Sequence, residues 1–205
     1  RHDDRGHAAD PDNRLRWRMN RSRLDAEALR DAMIMVTGQL KPSTGGPAMP
    51  LEFPENVGGL DPKDVNPPNF RFSKWRPEQE FERTIYLPVI RHGPQPGPAM
   101  LRNVFDFAEP SQLTGKRPVT AVPTQALFLM NSPVVKKHAV ALARRMGKEN
   151  NESKRLGLLW LTLLNRPITE TEQREAVGFL RETDENAWAE LCHALLASNE
   201  FLMRM

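Results

Sequence analysis

The chain has 205 residues, with 29 Lys and Arg against 26 Asp and Glu and a formal net charge of +3. That length suits one sizeable core, and opposite charges alternate along most of it, unlike the concentrated basic stripe of a nucleic-acid binder, so no nucleic-acid partner is expected. The single cysteine, Cys192, excludes an intrachain disulfide framework and CxxC-type zinc or haem motifs, and no apolar run reaches the roughly 18 to 20 residues of a membrane-spanning helix.

The chain opens on Arg1, as expected of a fragment or a processed chain. Residues 1–13 are polar. Asp10-Pro11-Asp12 reads as a turn able to start a helix, and Leu15, Trp17 and Met19 are the first apolar anchors. Arg14, Arg16, Arg18, Arg21 and Arg23 precede Asp25, Glu27 and Asp31, an order that predicts internal charge pairing. From about Leu24 to Thr37 apolar residues recur at helical spacing, and Gly38 is the stop signal.

Fourteen of the 18 prolines crowd into 42–68 and 88–123 and mark those stretches as non-helical. Residues 39–82 show no period, but Phe53, Phe70, Phe72 and Trp75 argue for a segment wrapped over the core. Residues 83–91 read as a strand, placed at an edge because Pro88 cannot donate to a ladder, and Val104 to Phe107 could pair with it.

From Pro123 the pattern is helical. One helix runs to Asn131, and Ser132-Pro133 restarts another with the stripe Val135, Ala139, Leu142 and Met146, ending near Gly147. Leu156 to Leu164 is apolar nearly all round, which predicts the most buried helix, stopped by Asn165-Arg166-Pro167. Thr169 and Glu172 form a capping box for a helix to about Leu180. Asp184 can cap a last helix that buries Trp188, Leu191, Leu195 and Leu202. The fold class expected is mainly α: a single domain over 1–205, with a helical region at 1–38, a Pro-rich wrapping segment with one or two short edge strands at 39–122, and a helical bundle at 123–205.

Two polar sets are candidates for chemistry. The Arg, Asp and Glu series over 20–31 could grip an anion or a sugar, but helix caps and local pairs such as Arg23–Glu27 and Glu27–Arg30 explain it more simply. Asp106, Arg117, Gln125 and Asn131, with Arg91, could line a binding cleft. The preferred alternative is a buried network pinning the Pro-rich segment to the bundle, because no nucleophile and base accompany them. His2 with Asp3 and Asp4 is only loosely a ligand cluster, so neither a metal nor a cofactor is expected. Cys192 and His193 diverge by about 100° on one helix and cannot form a dyad, so the thiol reads as packing.

Four stretches carry a resemblance: Asn13–Arg21 with Leu24–Asp31, Arg83–Tyr86 through Arg91, Phe105–Phe107 through Arg117–Asn131, and Ser198–Phe201. In this order they resemble the uncharacterised C-terminal domain of large planctomycete proteins, whose N-terminal half often carries a planctomycete-type cytochrome c domain. Glu82 stands where that family usually has a basic residue, and Thr84 where it has serine. The resemblance implies an exported, envelope-associated, multidomain parent. It also implies a non-catalytic accessory or interaction role beside the parent's other domains, a cytochrome c domain among them. Carbohydrate binding or polysaccharide processing is the alternative, and docking to a cytochrome c partner a second one.

Overall fold

The computed structural model describes residues 3–20, 22–42, 45–48, 77–89, 95, 97–182 and 186–204. It is mainly helical: α1 (Asp4–Ala9), α2 (Ala26–Thr37), α3 (Pro123–Asn131), α4 (Pro133–Met146), α5 (Glu152–Leu164), α6 (Glu170–Glu182), α7 (Ala187–Leu196) and α8 (Asn199–Leu202). Three 3-10 turns, Pro77–Phe81, Thr84–Tyr86 and Gly97–Asn103, lie between α2 and α3.

Local chemistry sets the helix ends. Asp25 accepts the Ala28 N–H at 2.8 Å and starts α2, while Gly38, at a φ of 77° that disfavours any other residue, ends it. Pro133 cannot donate to the preceding turn, so α3 and α4 are separate helices. Thr169 and Glu172 exchange the two capping-box bonds, Thr169 N–H to Glu172 Oε2 at 2.9 Å and Glu172 N–H to Thr169 Oγ1 at 3.3 Å. Asp184 falls outside the described residues, and α7 begins after Asn186, whose side chain makes no capping bond.

The core is one cluster. The α4 stripe Val135, Ala139, Leu142 and Met146 meets Leu191, Cys192 and Leu196 of α7 along the most extensive helix pairing among the described residues. Leu29 and Met33 of α2, Leu156 and Leu159 of α5, and Phe105 complete it. Each fully buried leucine contributes about 1.5–3 kcal/mol relative to an exposed one. Arginines close helix ends from neighbouring elements: Arg145 of α4 donates to the Val36 carbonyl of α2 at 2.6 Å, and Arg166 bridges Glu172 of α6 and Glu200 of α8.

Several expectations need correction. The expected strand at 83–91 is a 3-10 turn over Thr84–Tyr86, with Tyr86 N–H on the Arg83 carbonyl at 3.0 Å and Leu87 N–H on that of Thr84 at 3.1 Å; 90 and 91 lie outside the described residues. Val104 and Phe105 continue helical turns from Leu101 and do not pair as a strand. The short strands form instead between Ser22–Arg23 and Met203–Arg204, antiparallel, joining the segment before α2 to the one after α8. Helix α5 buries Leu156, Leu159, Trp160 and Leu163 but leaves Leu158 and Leu161 44 % and 52 % exposed, so its apolar character is two-faced. Of the first apolar residues, Trp17 packs inward, whereas Leu15 and Met19 are exposed. The aromatic residues expected to wrap the core, and His2, lie outside the described residues.

Candidate functional site

Asp106 sits at the end of the turn that follows Gly97–Asn103, with a φ of 53° that directs its carboxylate back toward the strand Ser22–Arg23. Arg23 Nη2 donates to Asp106 Oδ2 at 2.6 Å, and the Thr120 N–H reaches the same oxygen at 2.8 Å. The Thr120 hydroxyl donates to Asp106 Oδ1 at 2.9 Å. Arg23 Nε then returns to the Thr120 carbonyl at 3.1 Å, closing a ring that ties the strand Ser22–Arg23, the 97–106 turns and the approach to α3 together. Gln125, on the first turn of α3 and 4 % exposed, donates its amide to the Val104 carbonyl at 3.1 Å and to Thr120 Oγ1 at 3.2 Å.

Beside this ring Arg117 grips Glu27 of α2 with a two-pronged fork, at 2.9 and 2.8 Å. The Phe107 ring lies under two guanidiniums, Arg102 at 4.8 Å and Arg117 at 4.9 Å from its centroid, and Phe105 lies under Arg23 at 5.3 Å. A cleft of about 290 Å³ opens here, lined among others by Arg23, Leu24, Asp25, Asp106, Arg117 and Val119.

The electrostatics follow from these contacts. Burial works against the charged form of Asp106, but the Thr120 bonds and the Arg23 charge outweigh it and hold the carboxyl below its ordinary range. At Glu27 burial is likewise overcome by the Arg117 fork, and its acidity too is increased. Both groups are therefore ionised, bonded acceptors at neutral pH and poor proton donors. The Cys192 thiol is pushed up to about 12 by burial and carries little thiolate character. Burial likewise pulls His138, 4 % exposed, down to about 4, against the pull of the Glu80 carboxylate, so it is neutral at pH 7.

A second polar cluster joins Arg30 and Asp31 of the 20–31 series to Thr84 and Arg102, a link that sequence reasoning did not make. Arg30 of α2 is 3 % exposed and donates from Nη1 to the Glu82 carbonyl and Thr84 Oγ1, at 2.8 and 3.0 Å, and from Nη2 to the Glu80 carbonyl at 2.6 Å. Asp31 accepts both the N–H and the hydroxyl of Thr84, at 2.8 and 2.6 Å. From the other side Arg102, 5 % exposed, donates to the carbonyls of Thr84 and Pro88 at 2.7 and 2.9 Å. Burial drags Arg30 down to about 10, still far above neutral pH, so the fork stays charged. Composition gave no signal that Arg30 and Arg102 would be buried, because arginine is ordinarily an exposed residue.

The structure thus brings together Asp106, Arg117 and Gln125 of the sequence-derived set. Asn131 stands apart, exposed at the end of α3 with its amide on the Leu127 carbonyl at 2.9 Å, and Arg91 lies outside the described residues. The expected local pairs Arg23–Glu27 and Glu27–Arg30 give way to partners far along the chain, because Asp106, Arg117 and the 80–84 carbonyls offer two-pronged or more buried geometry. Among the described residues no group of three His, Cys, Asp or Glu side chains is placed to hold a metal ion, and no helix is long and apolar enough to cross a membrane.

Neither the curated proteins nor the solved structures yield a match to this chain. A family model described as a protein of unknown function, DUF1553 (PSD1), matches residues 1–180. With these residues matched, most of the fold and all of the Asp106 and Arg30 clusters are included, and the chain belongs to the DUF1553 family.

Proposed function

We propose that the chain is a non-catalytic interaction module of an exported, multidomain, planctomycete-type protein, docked against other domains of the same parent, a cytochrome c domain among them. The observation that carries this reading is the engagement of the candidate polar groups: both oxygens of Asp106, both prongs of Arg117 and the amide of Gln125 bond to this chain itself. Exposed apolar surface lies elsewhere. Leu127, Met130 and Val140 are 56 %, 58 % and 40 % exposed, and Met130 and Val140 line a groove of about 480 Å³ with Lys136, Glu190 and His193 on α3, α4 and α7. A groove with an apolar floor and charged rim suits a protein partner.

The test mixes this chain with the separately produced remainder of the parent and follows association by analytical ultracentrifugation. Association weakened by Met130→Glu and unaffected by Arg117→Ala is expected. The carbohydrate reading draws on Arg117, whose side chain is 38 % exposed at the 290 Å³ cleft. Absence of association, with glycan binding that Arg117→Ala and Asp106→Ala abolish in a folded chain, would replace the docking reading by that one.

A further inference from the structure

The loop that follows α1, residues 10–20, is closed from within by buried polar side chains. Asp10, 8 % exposed, accepts the N–H groups of Arg14 and Leu15 at 2.9 and 2.7 Å. Asn13, 4 % exposed with a φ of 54°, donates to the Arg18 carbonyl at 2.7 Å and accepts the Arg18 N–H at 3.1 Å. The Trp17 indole donates to the Asp10 carbonyl at 2.8 Å, and its ring presses so close to Gly6 that a Cβ there would stand 2.5 Å from Cε3.

What this internally braced loop shows to solvent is apolar and cationic. Leu15 is 83 % exposed and Met19 53 % exposed. Arg14 and Arg16 flank Leu15, both exposed, and among the described residues neither guanidinium is hydrogen-bonded or paired with a carboxylate. Arg18 lies over the Trp17 ring at 5.3 Å. Of the arginines expected to pair internally, Arg14 and Arg16 have no carboxylate partner among the described residues, Arg23 pairs with Asp106, and Arg21 lies outside the described residues; Asp25 caps α2, Glu27 holds Arg117 and Asp31 holds Thr84. Within 10–20 the remaining carboxylate is Asp12, exposed one residue before the Asn13 brace.

We infer that this loop is a docking tip for an anionic lipid surface, with Leu15 and Met19 entering the headgroup layer and Arg14 and Arg16 taking lipid phosphates. Two observations favour lipid over a protein partner. The exposed apolar atoms belong to two side chains, Leu15 and Met19, set among guanidiniums, whereas a standard protein interface draws on roughly 20–30 residues a side. A bilayer accepts a protruding apolar tip of any outline and surrounds it with phosphates, which is the chemistry that exposed arginines complement. Asp10 and Asn13 fix the loop beforehand, so little ordering accompanies binding. This surface is distinct from the groove on α3, α4 and α7, and the inference stands apart from docking to parent domains.

The experiment is co-sedimentation of the whole chain with vesicles of equimolar phosphatidylcholine and phosphatidylglycerol, and with vesicles of phosphatidylcholine alone. The chain should partition onto the anionic vesicles, less so as salt is raised. Leu15→Ser should lower the partition coefficient about tenfold, and Arg14→Gln or Arg16→Gln about fivefold each. Met130→Ser should leave it unchanged. All four positions are exposed, and an unaltered helical signal by circular dichroism verifies each variant. A folded chain that stays in the supernatant with anionic vesicles overturns the inference. Equal binding by Leu15→Ser, or loss with Met130→Ser in its place, also overturns it.

Discussion

The α4–α7 core and the 77–122 segment are held by different balances of apolar and polar contacts. In the first, Val135, Leu142, Met146, Leu191 and Leu196 interlock with almost no exposure, and the contacts are non-directional and distributed over many atoms. In the second, Leu101 and Phe105 also reach into that core, but the stretches around Thr84 and Thr120 are positioned by a few directional forks: Arg30 and Arg102 on the carbonyls around Thr84, and Arg23 on Asp106 and Thr120. An apolar core loses stability as a whole when trimmed. A clamped segment should come loose locally, leaving the platform beneath it folded.

The largest effect should come from the platform. Leu142→Ala, at a fully buried position, should cost about 2–5 kcal/mol in a denaturant titration, with every probe of folding shifting together. Arg102→Ala should cost less, about 1–3 kcal/mol, because the carbonyls of Thr84 and Pro88 lose their donors but can turn toward water once the segment loosens. An Arg102→Ala loss as large and as uniform as that of Leu142→Ala would erase the distinction between the two regions.

Two pH effects sharpen it further. Asp106 and Glu27 are held below their ordinary values, so their stabilisation is complete above the unfolded carboxylate range and is lost as pH falls through the lowered folded values. Asp106→Asn should therefore lower stability at neutral pH by about 1–3 kcal/mol and narrow the gap to the parent chain in acid. His138 works in a different window. Its folded value of about 4 lies below the ordinary 6.5, so the unfolded chain binds the extra proton and stability declines as pH falls from about 6.5 toward 4. His138→Gln should flatten that slope, and pH-dependent melting temperatures would measure it. An unchanged slope would mean that the imidazole is solvated in the folded chain.

The platform was largely legible in the sequence because its determinants are local. Asp25 and Gly38 bracket α2, Pro133 divides α3 from α4, and Thr169 with Glu172 starts α6, each acting within four residues of where it is read. Periodicity could not tell that Leu158 and Leu161 stay about half exposed in the described fold, since it reports character and not contact. The clamped segment was misread as a strand because its determinants are remote: Thr84 is placed by Arg30, 54 positions earlier in the chain, and by Arg102, 18 positions later. The candidate set was half legible for the same reason. Asp106, Gln125 and Arg117 converge, but Thr120, which links the first two, carries no sequence signal, and Asn131 proves to be a local helix-end contact.

The most direct test of two regions held by two kinds of force is hydrogen exchange, read by mass spectrometry, on Arg30→Ala against the parent chain. Directional clamping predicts faster exchange at the Thr84 and Leu87 amides, with α4 and α7 keeping their protection. Unchanged protection at 84–87, or loss spread evenly through α4 and α7, would contradict it.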